Sequence, residues 1–500
     1  MADAVLHFGR ILGKRNPMLY GQFIEHFHRQ IYDGIYCPSS PLADGDGLRT
    51  DVVAALRRIA PPIIRWPGGC FVSAYHWRDG VGERRPSFDK AWRVEDPNTF
   101  GTDEFIKLCR VLDSEPYICT NAGTGTAEEM SDWVEYCNLP AEGANARLRI
   151  AGGSPAPHGV QYWSIGNENY GAWEIGAKTA QEWARLVTEA AKMMRRVDPS
   201  IQLSAAALPD VEWNLTLLAS AGQYLDWISI HAYWDAIHET NALATYEQVM
   251  AYTPHLDDAI RKVEGMLAAT GHSDHIKIAF DEWNLRGWYH PNSHTLHLPT
   301  DKAQYLTPRD QNDDNAAYTM ADTVFTACFL NTLLRHCDTV HMANFAPTVN
   351  TRGLVYAHPE GIVLRGMYHV FDLYVNQMGE EVVDLWQPAP PVLQARDKRG
   401  NAVDVAQLDM VATRTKDGRA AIALVNKHPT DTAHLTLALS GLRAERWTLY
   451  TVNGGGVDDY NDIRQPDNIR ITTAALHCAP GEVALTLAPH SVNVLVSHAG

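Results

Sequence analysis

The sequence predicts an α/β fold: a (β/α)8 TIM barrel carrying a C-terminal all-β sandwich of jelly-roll type, which the N-terminal strand is expected to join. Three observations lead there. Short runs rich in β-branched and aromatic residues alternate with helix-period stretches through most of the chain, the pattern of βα units around a parallel sheet. After about residue 380 the period changes to two. Finally, 500 residues are more than one compact core usually holds, so a large domain with a smaller companion is expected.

In chain order, residues 1–17 contain a strand over Val5–Leu12 that pairs into the sandwich. Residues 18–378 form the barrel, with strands expected at Tyr20–Ile24, Pro62–Trp66, Tyr117–Asn121, Tyr162–Gly166, Gln202–Ala206, Trp227–His231, Lys277–Asp281 and Thr339–Asn344. The helices between them follow from period. Thr179 and Glu182 form a capping-box pattern, and apolar side chains then fall at Ala180, Trp183, Ala184, Val187, Ala190, Ala191 and Met194, one face of a helix. The stretch Asn315–Cys337 is apolar nearly all round, which predicts a helix buried on several sides beneath the second domain. Residues 379–500 alternate instead, as in Leu435, Leu437 and Leu439 or Val483, Leu485 and Leu487, with turn clusters such as Asn453–Gly456.

Composition bounds the function. A net charge of -17 repels nucleic acid phosphates and anionic lipid, so neither is an expected partner and a neutral ligand fits better. The opening MADAVLHFGR lacks a signal-peptide pattern, and no apolar run reaches the roughly eighteen residues of a membrane span, so a cytoplasmic location is expected. The eight cysteines are scattered without a CxxC pair and read as free thiols, mostly buried.

In such a barrel the chemistry sits where strands end and βα-loops begin. The fourth expected strand runs into Gly166-Asn167-Glu168-Asn169 and the seventh into Asp281-Glu282-Trp283-Asn284, each placing a glutamate just past an apolar run. A single glutamate there is ordinarily a solvated loop residue. Two on facing strands are what glycoside hydrolysis with retention requires: one carboxylic acid to protonate the leaving oxygen, and a second carboxylate about 5 Å away to attack the anomeric carbon.

With these motifs the chain resembles the clan of (β/α)8 retaining glycosidases and, more narrowly, glycoside hydrolase family 51. Further matching segments are Tyr20-Gly21-Gln22-Phe23-Ile24-Glu25-His26, Ile64-Arg65-Trp66-Pro67-Gly68-Gly69-Cys70-Phe71, Phe100-Gly101-Thr102-Asp103-Glu104-Phe105, His231-Ala232-Tyr233 and Pro489-His490-Ser491-Val492, in family order along nearly the whole chain. The resemblance implies an α-L-arabinofuranosidase, exo-acting on arabinose-containing oligosaccharides, and a homo-oligomer, trimeric or hexameric. It also implies Glu168 as general acid/base, Glu282 as nucleophile, Asn167 on the sugar 2-hydroxyl, Glu25 on further hydroxyls, and Arg65, His231 and Tyr233 framing the nucleophile. Physical reasoning adds that a cationic Arg65 favours the carboxylate form of Glu282, whereas Glu168, beside a negative neighbour, should hold its proton longer.

Other residues carry two readings. Trp92 and Trp288 are either core filler or platforms for sugar rings, while Trp283 reads as core. The two glycines of Pro67-Gly68-Gly69 suit a close backbone approach to substrate, or simply a tight turn. His26 and His28, and the loop histidines His290, His294 and His297, match no common zinc spacing, and the chemistry needs no metal, so neither metal nor cofactor is assigned. Two positions depart from the usual pattern: Cys70 stands where many members have asparagine, and Pro347 where glutamine is common. Exchanging such partners can shift which sugar is accepted. An endo-β-1,4-glucanase or β-xylosidase on the same scaffold, and a non-catalytic carbohydrate-binding protein, stand as alternatives.

Overall fold

The computed structural model describes residues 3–237, 242–288 and 312–498. Strand β1 is Ala4–Lys14, and eight parallel strands then close a barrel: β2 (Gly21–Phe23), β3 (Ile63–Trp66), β4 (Glu115–Thr120), β5 (Tyr162–Ile165), β6 (Gln202–Ala206), β7 (Trp227–Asp235), β8 (Lys277–Arg286) and β9 (Val340–Phe345). Each pairs with its successor and β9 returns to β2, with Asn344 opposite Gly21. A helix follows every strand: α1 (Thr50–Ile59), α2 (Thr102–Leu112), α3 (Ala127–Asn138), α4 (Ala180–Val197), α5 (Val211–Ala221), α6 (Asp258–Ala269), α7 (Met320–Arg335) and α8 (Gly366–Gln377). All eight expected strands are thus present, and the connections run strand, helix, strand throughout, as parallel pairing demands.

Local sequence explains the elements. The Thr179 hydroxyl accepts from the Glu182 amide while the Glu182 carboxylate accepts from the Thr179 amide, so the capping box starts α4, and the seven apolar residues expected on one face are its buried ones. Every residue of α7 from Met320 to Leu334 is buried. Its outer end lies under the second domain, where Asp409 accepts from Asn331 Nδ2 at 2.7 Å and Arg335 Nη1 at 2.9 Å.

The β-rich part of the chain adds β10 (Glu381–Trp386), β11 (Leu408–Arg414), β12 (Ala420–Asn426), β13 (Ala433–Ser440), β14 (Arg446–Asn453), β15 (Arg470–His477), β16 (Glu482–Leu487) and β17 (Ser491–Ser497). They form one nine-stranded sheet in the order β15-β14-β17-β12-β11-β10-β1-β13-β16, with β1 antiparallel to β10 and parallel to β13. The sheet curls on itself. Leu435, Leu437, Val483 and Leu485 from one end share a core with Ile422, Leu424 and Trp447 from the middle and other end. Alternation gives β12 two buried faces: Ile422 and Leu424 enter that core, whereas Ala421, Ala423 and Val425 join the apolar cluster of the barrel helices. All eight cysteines are free thiols, five of them buried, and no helix among the described residues is long and apolar enough to cross a membrane.

One difference bears on the site. Strands β7 and β8 run beyond their expected ends and stay paired, with Glu282 opposite His231, Asn284 opposite Tyr233 and Arg286 opposite Asp235. Glu282 therefore lies within a strand, not past one. A register shift between Ala279 and Glu282 interrupts strict alternation, and both Asp281 and Glu282 reach the barrel interior. The extension is held at its end by Arg286, which donates to Asp235 at 2.7 Å and through Nε and Nη2 to Asp322 at 2.9 and 3.0 Å.

Candidate active site

The ten residues singled out in the sequence come together at the C-terminal mouth of the barrel. Arg65, fully buried at the end of β3, is the hub. Its Nη1 donates to Glu282 Oε2 at 2.6 Å, its Nη2 to Asn167 Oδ1 at 2.7 Å, and its Nε lies 3.6 Å from Asp281. The other oxygen of Glu282 accepts from the Tyr233 hydroxyl at 2.6 Å. Ser229, His231 and Tyr233 alternate along β7 and so share one face.

Glu168 sits just past β5, at a backbone φ of 45° that aims its side chain into the mouth. Its Oε1 meets His231 Nδ1 at 2.8 Å and its Oε2 accepts from Trp173 Nε1 at 2.9 Å. One oxygen each of Glu168 and Glu282 and a ring nitrogen of His231 lie within 4.8 Å of one another. Behind His231, the Ser229 hydroxyl donates to Asp281 at 2.6 Å, and Asp281 approaches His231 Nε2 at 3.3 Å.

The turn after β3 explains its glycines. A side chain at Gly68, where φ is 149°, would put Cβ 2.2 Å from Glu25 Cγ, and one at Gly69 would lie 3.1 Å from Glu282 Oε2. The turn instead offers amides. Gly69 and Phe71 donate to Glu25 Oε1 at 2.9 and 3.2 Å, and Trp92 Nε1 donates to the same oxygen at 3.3 Å. Trp92 stands edge-on to Trp288, which stands edge-on to Tyr233, forming an aromatic wall. Trp283 points the other way, into a core of Phe329, Phe345 and Phe371.

The electrostatics correct one expectation. Burial works against a charge on His231, but Glu282, Asp281 and Glu168 outweigh it and push the imidazole up to about 10. Burial likewise raises Glu168, yet the hydrogen bond and charge of His231, with Trp173 and Arg65, hold it below the usual carboxylate value. Glu168 does not keep its proton by facing Glu282. The proton is held by the His231–Glu168 pair, with the histidine as its seat, because the imidazolium stands nearer to Glu168 than the negative neighbour does. Asp281, buried but next to Arg65 and His231, falls to about 2. Burial first, and then the charge of Glu282, push Glu25 up to about 8.

Sequence reasoning missed four participants. Asp281 is admitted by the strand irregularity, which alternation does not foresee. Trp173 and Glu174 arrive because the chain folds back after Glu168. Arg352 was visible only as a polar residue after the last strand; it donates from Nη2 to the Tyr233 hydroxyl at 3.1 Å, with its guanidinium 4.9 Å from the Tyr233 ring centroid and 4.8 Å from that of Trp288. His26 is structural, bridging Asp96 and Trp66 Nε1 at 2.7 and 3.1 Å. His290, His294 and His297 lie outside the described residues.

A (β/α)8 barrel with two close carboxylates in its C-terminal mouth defines a glycoside hydrolase of the retaining class. Comparisons with known proteins narrow it. Residues 281–491 match the family model of the α-L-arabinofuranosidase C-terminal domain, and residues 55–251 match that of the α-L-arabinofuranosidase 1 domain. The chain is 33% identical over 439 residues, covering 85% of it and 84% of the relative, to a Halalkalibacterium halodurans protein named an intracellular exo-α-(1→5)-L-arabinofuranosidase. It is 32% identical to a probable α-L-arabinofuranosidase C of Aspergillus terreus, covering 91% and 90%. Among solved structures, the Thermotoga maritima α-L-arabinofuranosidase in complex with arabinose superposes with a TM-score of 0.88 at 34% identity, covering 99% of both chains. The chain belongs to the α-L-arabinofuranosidases of glycoside hydrolase family 51.

Proposed function

We propose that the chain removes non-reducing-end arabinofuranose from arabinan- and arabinoxylan-derived oligosaccharides by double displacement, with Glu168 as general acid/base and Glu282 as nucleophile. The observation that carries this reading is the approach of one oxygen of each carboxylate to within 4.8 Å. Retaining enzymes keep about 5–5.5 Å between these groups, whereas inverting enzymes leave about 6.5–9.5 Å for a water.

Glu282 is gripped at both oxygens, by Arg65 and Tyr233, which holds the carboxylate in one orientation for attack on the anomeric carbon. As the glycosidic oxygen approaches Glu168, the proton shared with His231 passes to the carboxyl and on to the leaving group. Bond formation to Glu282 cancels its charge. Glu168 then takes a proton from water, whose oxygen attacks the anomeric carbon and releases arabinose with its configuration kept. Asn167, oriented by Arg65, serves the 2-hydroxyl, Glu25 and Cys70 meet further hydroxyls, and Trp92 and Trp288 wall the sugar.

The test is hydrolysis of nitrophenyl α-L-arabinofuranoside beside the β-xyloside and β-glucoside, with Glu168→Ala and Glu282→Ala. Azide rescues Glu168→Ala and yields an azide with the configuration of the substrate, and any azide formed by Glu282→Ala is inverted; a retained azide from Glu282→Ala with an inverted one from Glu168→Ala means the roles are exchanged. Preference for the β-xyloside or β-glucoside supports the rival activities, and no hydrolysis at all supports the binding protein. Action inside the cell is supported by relatives named intracellular, such as the Bacillus subtilis protein at 37% identity over 68% of each chain. Trimeric or hexameric assembly, implied by the resemblance, is tested by light scattering.

A further inference from the structure

Two side chains beside Glu168 take no part in moving its proton. Cys70 Sγ and one carboxylate oxygen each of Glu168 and Glu174 lie within 4.8 Å of one another. Glu174 is 4% exposed and, among the described residues, its Oε1 has no hydrogen-bond partner, while Oε2 receives a long contact of 3.5 Å from Asn167 Nδ2. A buried carboxyl oxygen without a partner forfeits its hydration for nothing in return, and such groups call for a ligand. Cys70 is partly exposed.

We propose that Cys70, Glu168 and Glu174 form a site for a thiophilic divalent transition-metal ion of the Zn2+ type, and that occupancy stops hydrolysis by taking the lone pairs of the acid/base carboxylate. Zn2+ takes both thiolate and carboxylate ligands, and a water would complete the tetrahedron around these three. Bond lengths of about 2.3 Å to sulfur and 2.0–2.2 Å to oxygen put ligand atoms roughly 3.5 Å apart, which small side-chain rotations reach from the present spacing. The thiol proton leaves to solvent as the sulfur–metal bond forms. Mg2+ and Ca2+, which prefer oxygen donors, are excluded by the sulfur.

Glu168, His231 and Glu282 are also mutually close, but they make a poorer cage. The His231 nitrogens already face Glu168 and Asp281, and the Arg65 guanidinium stands 2.6 Å from Glu282, where it repels a cation. Glu174 instead faces the neutral side chains of Cys70, Ser73 and Asn167.

Zinc chloride titrated calorimetrically into the full chain should show one bound equivalent, and the cobalt form should show a near-ultraviolet thiolate-to-cobalt charge-transfer band. Cys70→Ser should abolish the band, and Cys70→Ser and Glu174→Gln should each weaken zinc binding at least about tenfold. Zinc should inhibit arabinofuranoside hydrolysis over the same concentration range, with reversal by a chelator. Equal zinc affinity in Cys70→Ser, or no charge-transfer band in the wild type, overturns the proposal. Should the variants not fold, iodoacetamide labelling of wild-type Cys70, read by peptide mass mapping with Cys37 and Cys478 as controls, decides: zinc protects Cys70 selectively, and absence of protection refutes the site. Binding is read without turnover, so a failure of the acid/base assignment is separable from a failure of the metal site.

Discussion

Tyr233→Phe isolates one of the two grips on the nucleophile. The hydroxyl donates to Glu282 Oε1 at 2.6 Å, while Arg65 keeps the other oxygen at the same distance. A hydrogen bond to a charged group contributes about 1.5–3 kcal/mol, so if it orients the attacking carboxylate, its loss should lower kcat/KM by about 10–150-fold. The hydroxyl also accepts from Arg352 Nη2 at 3.1 Å, and Arg352 is 4% exposed with no partner at Nε or Nη1 among the described residues. Removing it strands a buried guanidinium against two aromatic faces. Arg352→Met therefore should act partly through the same hydroxyl, and the double variant should lose less than the sum of the singles, by about 1 kcal/mol. The assay is steady-state hydrolysis of nitrophenyl α-L-arabinofuranoside by wild type, both singles and the double, with circular dichroism to verify folding. Tyr233→Phe holding kcat/KM within about threefold of wild type, or strictly additive losses, would refute the reasoning.

Arg286→Met should leave the Asp322 carboxylate buried without its counter-charge and Asp235 with Lys398 alone, costing about 3–5 kcal/mol. With an unfolding entropy near 1 kcal/mol per degree for a chain of this length, Tm measured by calorimetry should fall by about 3–5 °C. Gly69→Ala places a methyl group 3.1 Å from Glu282 Oε2 and should depress kcat more than it raises KM, with far-ultraviolet circular dichroism unchanged. Glu25 is raised to about 8 from 4.5, so the folded state holds an extra proton between those values and stability falls as pH rises through that window. Glu25→Gln should remove a slope of up to about 1.4 kcal/mol per pH unit there, read by denaturant unfolding from pH 5 to 8.

Periodicity and end signals made the barrel legible. The eight runs expected as strands are strands, and the Thr179–Glu182 box and the all-round apolar Met320–Leu334 segment behave as their patterns predict. The glutamate pair was legible for the same reason, since a polar residue ending an apolar run in a barrel has few places to go but the mouth. What escaped depends on departures from period. The irregularity between Ala279 and Glu282 turns two consecutive carboxylates inward, and the continued pairing of β7 with β8 is pinned by Arg286 and Asp235, distant in sequence. Where the proton rests also escaped, because it depends on a 2.8 Å contact between His231 and Glu168, which come from different strands. Arg352 shows the same limit: its residue type was visible, but not that it covers Tyr233 and Trp288.

The central claim is that Glu282 becomes covalently glycosylated while Glu168 moves the proton. Incubating Glu168→Ala with an arabinofuranoside bearing an activated leaving group should let the first step proceed and stall the second. Mass spectrometry of the digested protein should then find one anhydropentose on the peptide containing Glu282, and none when Glu282→Ala is treated in the same way. Leaving-group release without any adduct, or an adduct on another residue, would contradict the account.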